Sequence, residues 1–344
     1  MRPVVVVGSF PPPLHGASFI NKSLLDALST QNIDAGEIDI APSPPFHHLS
    51  RFVRTLRGVA KILTAKRSRY IVSADGGLGL LYNLLLVAAM RLRQSEIVIY
   101  HHSTRYVFEN NAAAALLFRL AGPRTLHVAC SETMLKLLTE RYGLSVPRLV
   151  LSNSAWVRSG SPAERAPHKQ IVLGHLSNLC IEKGLSRTIH TLRTLRNNGH
   201  KATLILAGDA ANAEAAQIMR RAQKEFGSDL IYLGHVDTEA KNEFFSKIDY
   251  FLFPSLYPHE TQSLVVPEAM AAGVPVIVYR HRYAADLVHD GGLAIPTGQD
   301  FATIAADWIA ATHKDAAVYA KAALKAFQQD RERALKALDV LLAS

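Results

Sequence analysis

Short, uninterrupted apolar runs alternate with helix-length segments from one end of the chain to the other. In the first half the runs are residues 4–7, 37–40, 70–74, 97–100, 125–130 and 149–152. In the second they are 171–173, 203–207, 230–233, 250–253, 274–278 and 293–295. Helical stretches such as 19–28, 52–65, 80–92 and 132–142 lie between them. Runs that are apolar throughout, rather than at every second position, are strands buried on both faces of a parallel sheet. The pattern breaks once, in a small, polar, Pro-containing stretch at 159–168 that reads as a linker. A chain of 344 residues has room for two domains at roughly 150 residues each. The expected architecture is therefore α/β: two Rossmann-like domains, 1–158 and 169–344, whose parallel sheets face a central cleft. Ligands of such sheets bind at the carboxyl ends of the strands, which makes the cleft the default site. Residues 314–344 are rich in Ala, Lys and Leu and lack Gly and Pro, so they should form a helix. It is too long for a last crossover and is expected to cross back over the first domain.

Composition narrows the function. Two cysteines, Cys130 and Cys180, make neither a disulfide framework nor a Cys-rich zinc site. They are expected to be reduced thiols of a cytoplasmic protein. The apolar run in MRPVVVVGSF has no small-residue cleavage site behind it, so no signal peptide is expected. The longest apolar block, 78–90, contains Asn83, ends at Arg91, and falls short of the ~20 residues of a membrane span. Charge is unevenly placed. Residues 1–160 carry 18 Lys+Arg against 9 Asp+Glu, and the remainder carries 20 of each, so the whole +9 surplus lies in the first half. That implies an anionic partner on one side only. No nucleic-acid recognition motif accompanies the charge, so no nucleic-acid partner is expected.

Four places bear chemistry. The first strand leads through a proline-stiffened loop to Gly16 at a helix start, where backbone N–H groups suit a phosphate or a sugar hydroxyl, or form a plain turn. Neither this loop nor the Gly76-Gly77-Leu78-Gly79 cluster has Gly-x-Gly-x-x-Gly spacing. His101 and His102 end a strand, as a satisfied surface pair or as site residues. No carboxylate or histidine at helical spacing joins them, so no metal site is expected. Lys183-Gly184 occupies a strand-to-helix turn and offers a mobile cation. The fullest constellation runs from Pro254-Ser255 through Glu260 and Glu268 to Pro275. Glu268 lies in an apolar helical segment. A buried carboxylate there needs a partner: a ribose diol, or an arginine such as Arg280 or Arg282.

These motifs resemble those of the retaining glycosyltransferases of the GT-B fold, specifically glycosyltransferase family four. The residues concerned are Lys183-Gly184, Gly234-His235-Val236, Pro254-Ser255, Glu260 and Glu268 at a spacing of eight, and Ala269-Met270-Ala271-Ala272-Gly273-Val274-Pro275-Val276. Weaker parallels are Pro12-Pro13-Leu14-His15-Gly16, Cys130-Ser131-Glu132 and Ser152-Asn153. The resemblance implies a metal-independent hexosyltransferase with no cofactor, its nucleoside-diphosphate sugar being a substrate. It implies that Lys183 binds the diphosphate, that backbone at His235 and Val236 holds the base, and that Glu268 binds the ribose. Glu260 would face the donor sugar, with N–H groups of Ser263 and Leu264 near sugar or phosphate. Gly16 would line the acceptor side, and His102 (or His101) would touch the sugar. Two departures stand out. The family's arginine five positions before the lysine is Asn178 here, a loss that His175 or a first-domain arginine would have to offset. The family's Gly-Phe-Gly after the first glutamate is Thr261-Gln262-Ser263.

The acceptor implied is a glycan or lipid-linked saccharide, as in bacterial surface polysaccharide assembly. Competing readings are a soluble nucleotide-sugar enzyme (an epimerase or a transferase with a small acceptor), a sugar phosphorylase, and a non-catalytic sugar-binding protein. Residues 51–69 carry seven Lys/Arg and no acid. On a helix, Arg51, Arg54, Arg57 and Lys61 fall on one arc, and Phe52, Val53, Leu56, Val59, Ile62 and Leu63 on the other. Such a helix either packs its apolar arc on the sheet or docks on an anionic membrane surface, here the inner leaflet.

Overall fold

The computed structural model describes residues 2–12, 15–158 and 170–343. The expected linker at 159–168 lies outside them, as do Pro13 and Leu14 of the first loop. The chain divides into two compact units, Met1–Ser152 with Ala334–Ser344, and Asn153–Arg333.

In the first unit the elements are β1 (Val4–Gly8), α1 (Gly16–Thr30), β2 (Ala35–Asp39), α2 (His47–Thr64), β3 (Arg69–Ala74), α3 (Gly79–Leu92), β4 (Glu96–His101), α4 (Arg105–Phe108), α5 (Ala112–Ala121), β5 (Leu126–Ala129), α6 (Glu132–Tyr142) and β6 (Arg148–Val150). The second unit holds β7 (Ile171–Leu176), α7 (Leu185–Asn197), β8 (Ala202–Ala207), α8 (Ala213–Phe226), β9 (Leu230–Tyr232), α9 (Thr238–Ser246), β10 (Tyr250–Phe253), α10 (Val265–Ala271), β11 (Val276–Tyr279), α11 (Ala285–Val288), β12 (Gly292–Ile295) and α12 (Phe301–Thr312). A last helix, α13 (Ala316–Ala343), ends within the first unit, where the Leu341 carbonyl accepts from the buried Arg69 Nη1 at 2.6 Å.

Each unit is built on a six-stranded, wholly parallel sheet. The orders are β2-β1-β3-β4-β5-β6 and β12-β11-β10-β7-β8-β9. Every residue of β3, β7, β8, β10 and β11 is buried, as runs that are apolar on both faces require. In the second sheet Leu173, Leu204, Leu252 and Ile277 pack towards α7 and α12, while Phe251, Phe253, Val276 and Val278 pack with Phe244, Val266 and Met270 on the other face. Each sheet has one point where consecutive crossovers leave in opposite directions: between β1 and β3, and between β7 and β10. Adjacent loops diverge there and leave a crevice at the strands' carboxyl ends.

The apolar arc of α2 was expected either to pack on the sheet or to meet a membrane surface, and the packing reading holds only in part. The inward face of α2 is Thr55, Gly58 and Ile62, and the apolar arc does not pack as a whole: Phe52, Leu56 and Leu63 are exposed. Gly58 explains the close approach, since a Cβ there would lie 2.8 Å from Ile38 Cγ2 and 3.1 Å from Leu86 Cδ2. Nor are the basic residues of one arc all free. Arg51 is ion-paired with Asp75 and Arg54 with Asp39.

Candidate active site

The polar residues of the second unit gather at its switch point. The loop after β7 carries Asn178 and Lys183; the loop after β10 carries Ser255, Glu260, Ser263 and Leu264. Lys183 Nζ donates to Glu260 Oε2, and Ser255 Oγ donates to the same oxygen at 3.0 Å. Glu260 is buried. A buried carboxylate needs such donors. The two loops are clamped together: Leu256 N–H donates to the Glu182 carbonyl at 2.7 Å. Gly184 sits at φ +98°, and a Cβ on it would lie 2.5–2.9 Å from Pro254 atoms. Only glycine fits this left-handed, crowded position without strain. It places Lys183 two residues before the start of α7, directly ahead of the Gly184 N-cap, which offers no side-chain acceptor. The Lys183 ammonium also lies 4.8 Å from the Tyr257 ring centroid. An ammonium has three donors, so one bond to Glu260 leaves capacity for a diphosphate oxygen, and the α7 N-terminus adds backbone donors and a favourable dipole.

Glu268 lies in α10 and is paired neither with Arg280 nor with Arg282. Its partner is Lys241 on α9, with Nζ 2.5 Å from Oε1. Burial pushes its carboxyl up, and the Lys241 charge opposes the rise. The second oxygen, Oε2, is buried and has no hydrogen-bond partner. A carboxylate with one oxygen held by a cation and the other unanswered is suited to a hydroxyl donor.

The remaining predicted residues divide. Ser263 and Leu264 stand at the start of α10, Leu264 being its N-cap without a side-chain bond. His235 is exposed and faces Asp209, Nδ1 to Oδ2 at 3.2 Å. Val236 packs on the core. Asn178 is exposed. His175 does not supply the cation that Asn178 lacks. It is buried, with Nδ1 on the Leu252 carbonyl at 2.8 Å and Nε2 on Ser177 Oγ at 2.9 Å, and burial lowers it to about 4, so it is neutral. Gln262, where a bare backbone was expected, turns inward and accepts the Asn153 N–H at 2.5 Å.

The first unit assembles a second polar cluster, at the carboxyl ends of β1, β3 and β4. His15 caps α1: its Nδ1 accepts the Ser18 N–H at 3.3 Å, and its own N–H donates to Ser18 Oγ at 2.9 Å. One helix-start donor near Gly16 is thus already answered by a side chain, while a Cβ on Gly16 would meet nothing within 4 Å. Asp75 follows β3. Burial raises its carboxyl, against the opposing charges of Arg51 and then His15. The two histidines after β4 differ. His101 is committed to the core, between Tyr106 Oη and His127 Nδ1, each at 2.9 Å. His102 keeps a buried Nε2 without a partner, and burial, reinforced by the charge of His15, lowers it to about 3. It is a neutral imidazole with one unanswered nitrogen.

Lys241, Ser255, His15 and Asp75 belong to these clusters, although sequence reasoning did not select them as site residues. Asp75 had a signal: it is the one acid between Asp39 and Glu96, directly after a buried strand. Lys241 had none, being a lysine on a polar helix 27 residues before its partner. Among the described residues no three His, Cys, Asp or Glu side chains form a group able to hold a metal ion.

Comparison with known proteins fits this geometry. Residues 170–315, which carry the switch point of the second sheet, match the family model for Glycosyl transferases group 1. The fold is that of the GT-B glycosyltransferases. Anabaena Alr3699/HepE, solved with UDP, superposes over the full length of both chains with a TM-score of 0.71 at 17% identity. Sucrose-phosphate synthase from Thermosynechococcus elongatus does so over 98% of this chain and 97% of its own, with a TM-score of 0.72 at 16% identity. A curated relative from Mycobacterium tuberculosis, a GDP-mannose-dependent alpha-(1-6)-phosphatidylinositol dimannoside mannosyltransferase, is 31% identical over 120 residues. That match spans 35% of this chain and 30% of the relative.

Proposed function

We propose that the protein is a retaining glycosyltransferase that moves a hexose from a nucleoside-diphosphate sugar to a hydroxyl of a glycan or lipid-linked acceptor. The observation that carries this reading is the meeting of Lys183 and Glu260 at the β7/β10 switch point, together with the unanswered buried oxygen of Glu268 on the helix that follows β10. In the proposed complex Lys183 and the α7 N-terminus take the diphosphate, and Glu268 accepts from the ribose hydroxyls. Backbone at His235 and Val236 holds the base. Ser263 and Leu264 offer N–H groups to sugar or phosphate, and Asn178 adds a neutral donor beside them.

The reaction needs charge stabilisation above all. As the bond from the anomeric carbon to the phosphate oxygen breaks, negative charge grows on the diphosphate, and Lys183 with the helix N-terminus neutralises it. The sugar gains oxocarbenium character, which the Glu260 carboxylate offsets. The acceptor oxygen then attacks on the face the phosphate leaves, its proton passing to the departing phosphate oxygen, so the configuration is kept. His102 would accept or donate a hydrogen bond on the sugar from the first unit, and Gly16 would line the acceptor side. In this scheme no metal and no cofactor is required, and the setting is bacterial surface polysaccharide assembly on the cytoplasmic side of the membrane.

One similar protein is GDP-mannose-dependent and another was solved with UDP, so the test is a panel of UDP- and GDP-sugars incubated with the pure protein, with and without chelator. Release of nucleoside diphosphate from one sugar, undiminished by chelator and lost in Lys183→Ala, is the expected result. Proton NMR of the sugar product should then show the anomer retained. Turnover of no member of the panel, or an inverted anomer, contradicts the proposal.

A further inference from the structure

Nine of the sixteen large apolar side chains exposed among the described residues fall between Phe46 and Leu92, less than a seventh of the chain. They form a pattern. On α2 they are Leu49, Phe52, Leu56 and Leu63; on α3 and its N-cap they are Leu78, Leu81, Leu85 and Leu92. The offsets are the same in both sets: three, seven and fourteen residues from the first. At 100° per residue each set lies within an arc of about 60°. The two helices pack side by side. A surface helix of a soluble domain puts polar residues outward. On α3 the outward positions are Leu81, Leu84, Leu85, Ala88, Arg91 and Leu92, with Arg91 the sole charge.

We infer that the outward face of α2 and α3 is a docking surface for an anionic lipid bilayer. The charge around it selects that occupant. Arg57, Lys61, Lys66, Arg67, Arg91 and Arg93 border the leucines; all are exposed, and none is ion-paired among the described residues. The one acid between Asp39 and Glu96 is Asp75, which is committed to Arg51. A second copy of the chain would bring these six cations against their own duplicates, which is repulsive. An anionic leaflet answers both the leucines and the cations. The helices lie on the bilayer and do not cross it. At 1.5 Å per residue the 14 residues of α3 reach about 21 Å against a hydrocarbon core of about 30 Å, and among the described residues no helix is long and apolar enough to span. The inference deepens the proposed function by placing the enzyme where a lipid-linked acceptor is found, yet it stands on different residues.

The test is co-sedimentation of the full chain with vesicles of phosphatidylcholine plus phosphatidylglycerol, and of phosphatidylcholine alone. Binding to the anionic vesicles that weakens with added salt is expected, with little binding to the neutral ones. Leu81→Glu with Leu85→Glu should abolish it, as should Leu56→Glu with Leu63→Glu on the other helix. Changing Arg57, Lys61, Lys66 and Arg67 to Ser should weaken it by about fivefold per cation removed. These positions are exposed, so melting temperature and turnover of a nucleotide sugar should stay unchanged. Equal binding to both vesicles, no binding to either, or a dimer in sedimentation equilibrium that the leucine variants dissociate overturns the inference. Loss of vesicle binding with nucleotide-sugar turnover intact separates failure here from failure of the proposed activity.

Discussion

Lys241 is the residue whose removal is most informative, because it bears on stability and on ligand binding in different ways. Its ammonium lies 2.5 Å from Glu268 Oε1. Replacing one partner of a fully buried pair costs about 3–5 kcal/mol, since the other charge is left uncompensated. Here the Lys241 side chain is 28% exposed and that of Glu268 19%, so water screens part of the loss and Lys241→Met should cost about 2 kcal/mol at neutral pH. The sign with pH follows from Glu268, whose carboxyl is already raised by burial and is held down by Lys241. Without the lysine it rises further. Above that value the folded state must hold a lone buried carboxylate; below it the carboxyl takes a proton and the penalty fades. Urea denaturation at about pH 7 and about pH 5 should therefore show a loss that shrinks on acidification. Nucleotide affinity should fall in the same acid range, because a protonated Glu268 is a poorer acceptor. A loss under about 0.5 kcal/mol at pH 7, or one that does not change with pH, would refute the role given to Lys241.

Gly184→Ala should lower the melting temperature by about 5–10 °C and weaken nucleotide binding, since the new Cβ meets Pro254 at a positive φ and displaces Lys183; a variant as stable and as tight as the parent contradicts the clamp. His127 and His175, both lowered to about 4 by burial, are neutral in the fold and protonated below about 6.5 when unfolded. Their stabilisation is complete above pH 6.5 and lost as pH falls towards 4, at about 1.4 kcal/mol per pH unit for each. The raised carboxyls of Asp75 and Glu268 shift the opposite way and reduce the net slope. A urea midpoint that is flat between about pH 7 and pH 5 would contradict this assignment.

The parallel sheets were legible because their strands are buried on both faces and so written as unbroken apolar runs, such as 250–253. Lys183, Glu260 and Glu268 were legible because motif spacing is set by the turns that hold them. What spacing cannot carry is a pairing between distant segments. Lys241 reaches Glu268 only because α9 and α10 pack on the same face of the second sheet, and nothing in its sequence neighbourhood distinguishes it from a solvated lysine. Which face of α2 turns inward was left open by the sequence for a related reason. Periodicity finds two arcs, but which one turns inward is decided by Gly58 admitting Ile38 and Leu86, and by Arg51 and Arg54 being drawn to Asp75 and Asp39. The histidine pair was ambiguous in sequence and is resolved by depth: His101 joins the core and His102 keeps a free nitrogen.

The central claim is that the second unit binds a nucleoside-diphosphate sugar through Lys183 and Glu268. Isothermal titration calorimetry of the parent, Glu268→Ala and Lys183→Ala against UDP- and GDP-sugars measures it directly. The expected result is binding of at least one donor, with Glu268→Ala weaker by about 1.5–3 kcal/mol, the range for a hydrogen bond to a charged acceptor, and Lys183→Ala weaker by a similar amount. Unchanged affinity in both variants would contradict the site assigned here.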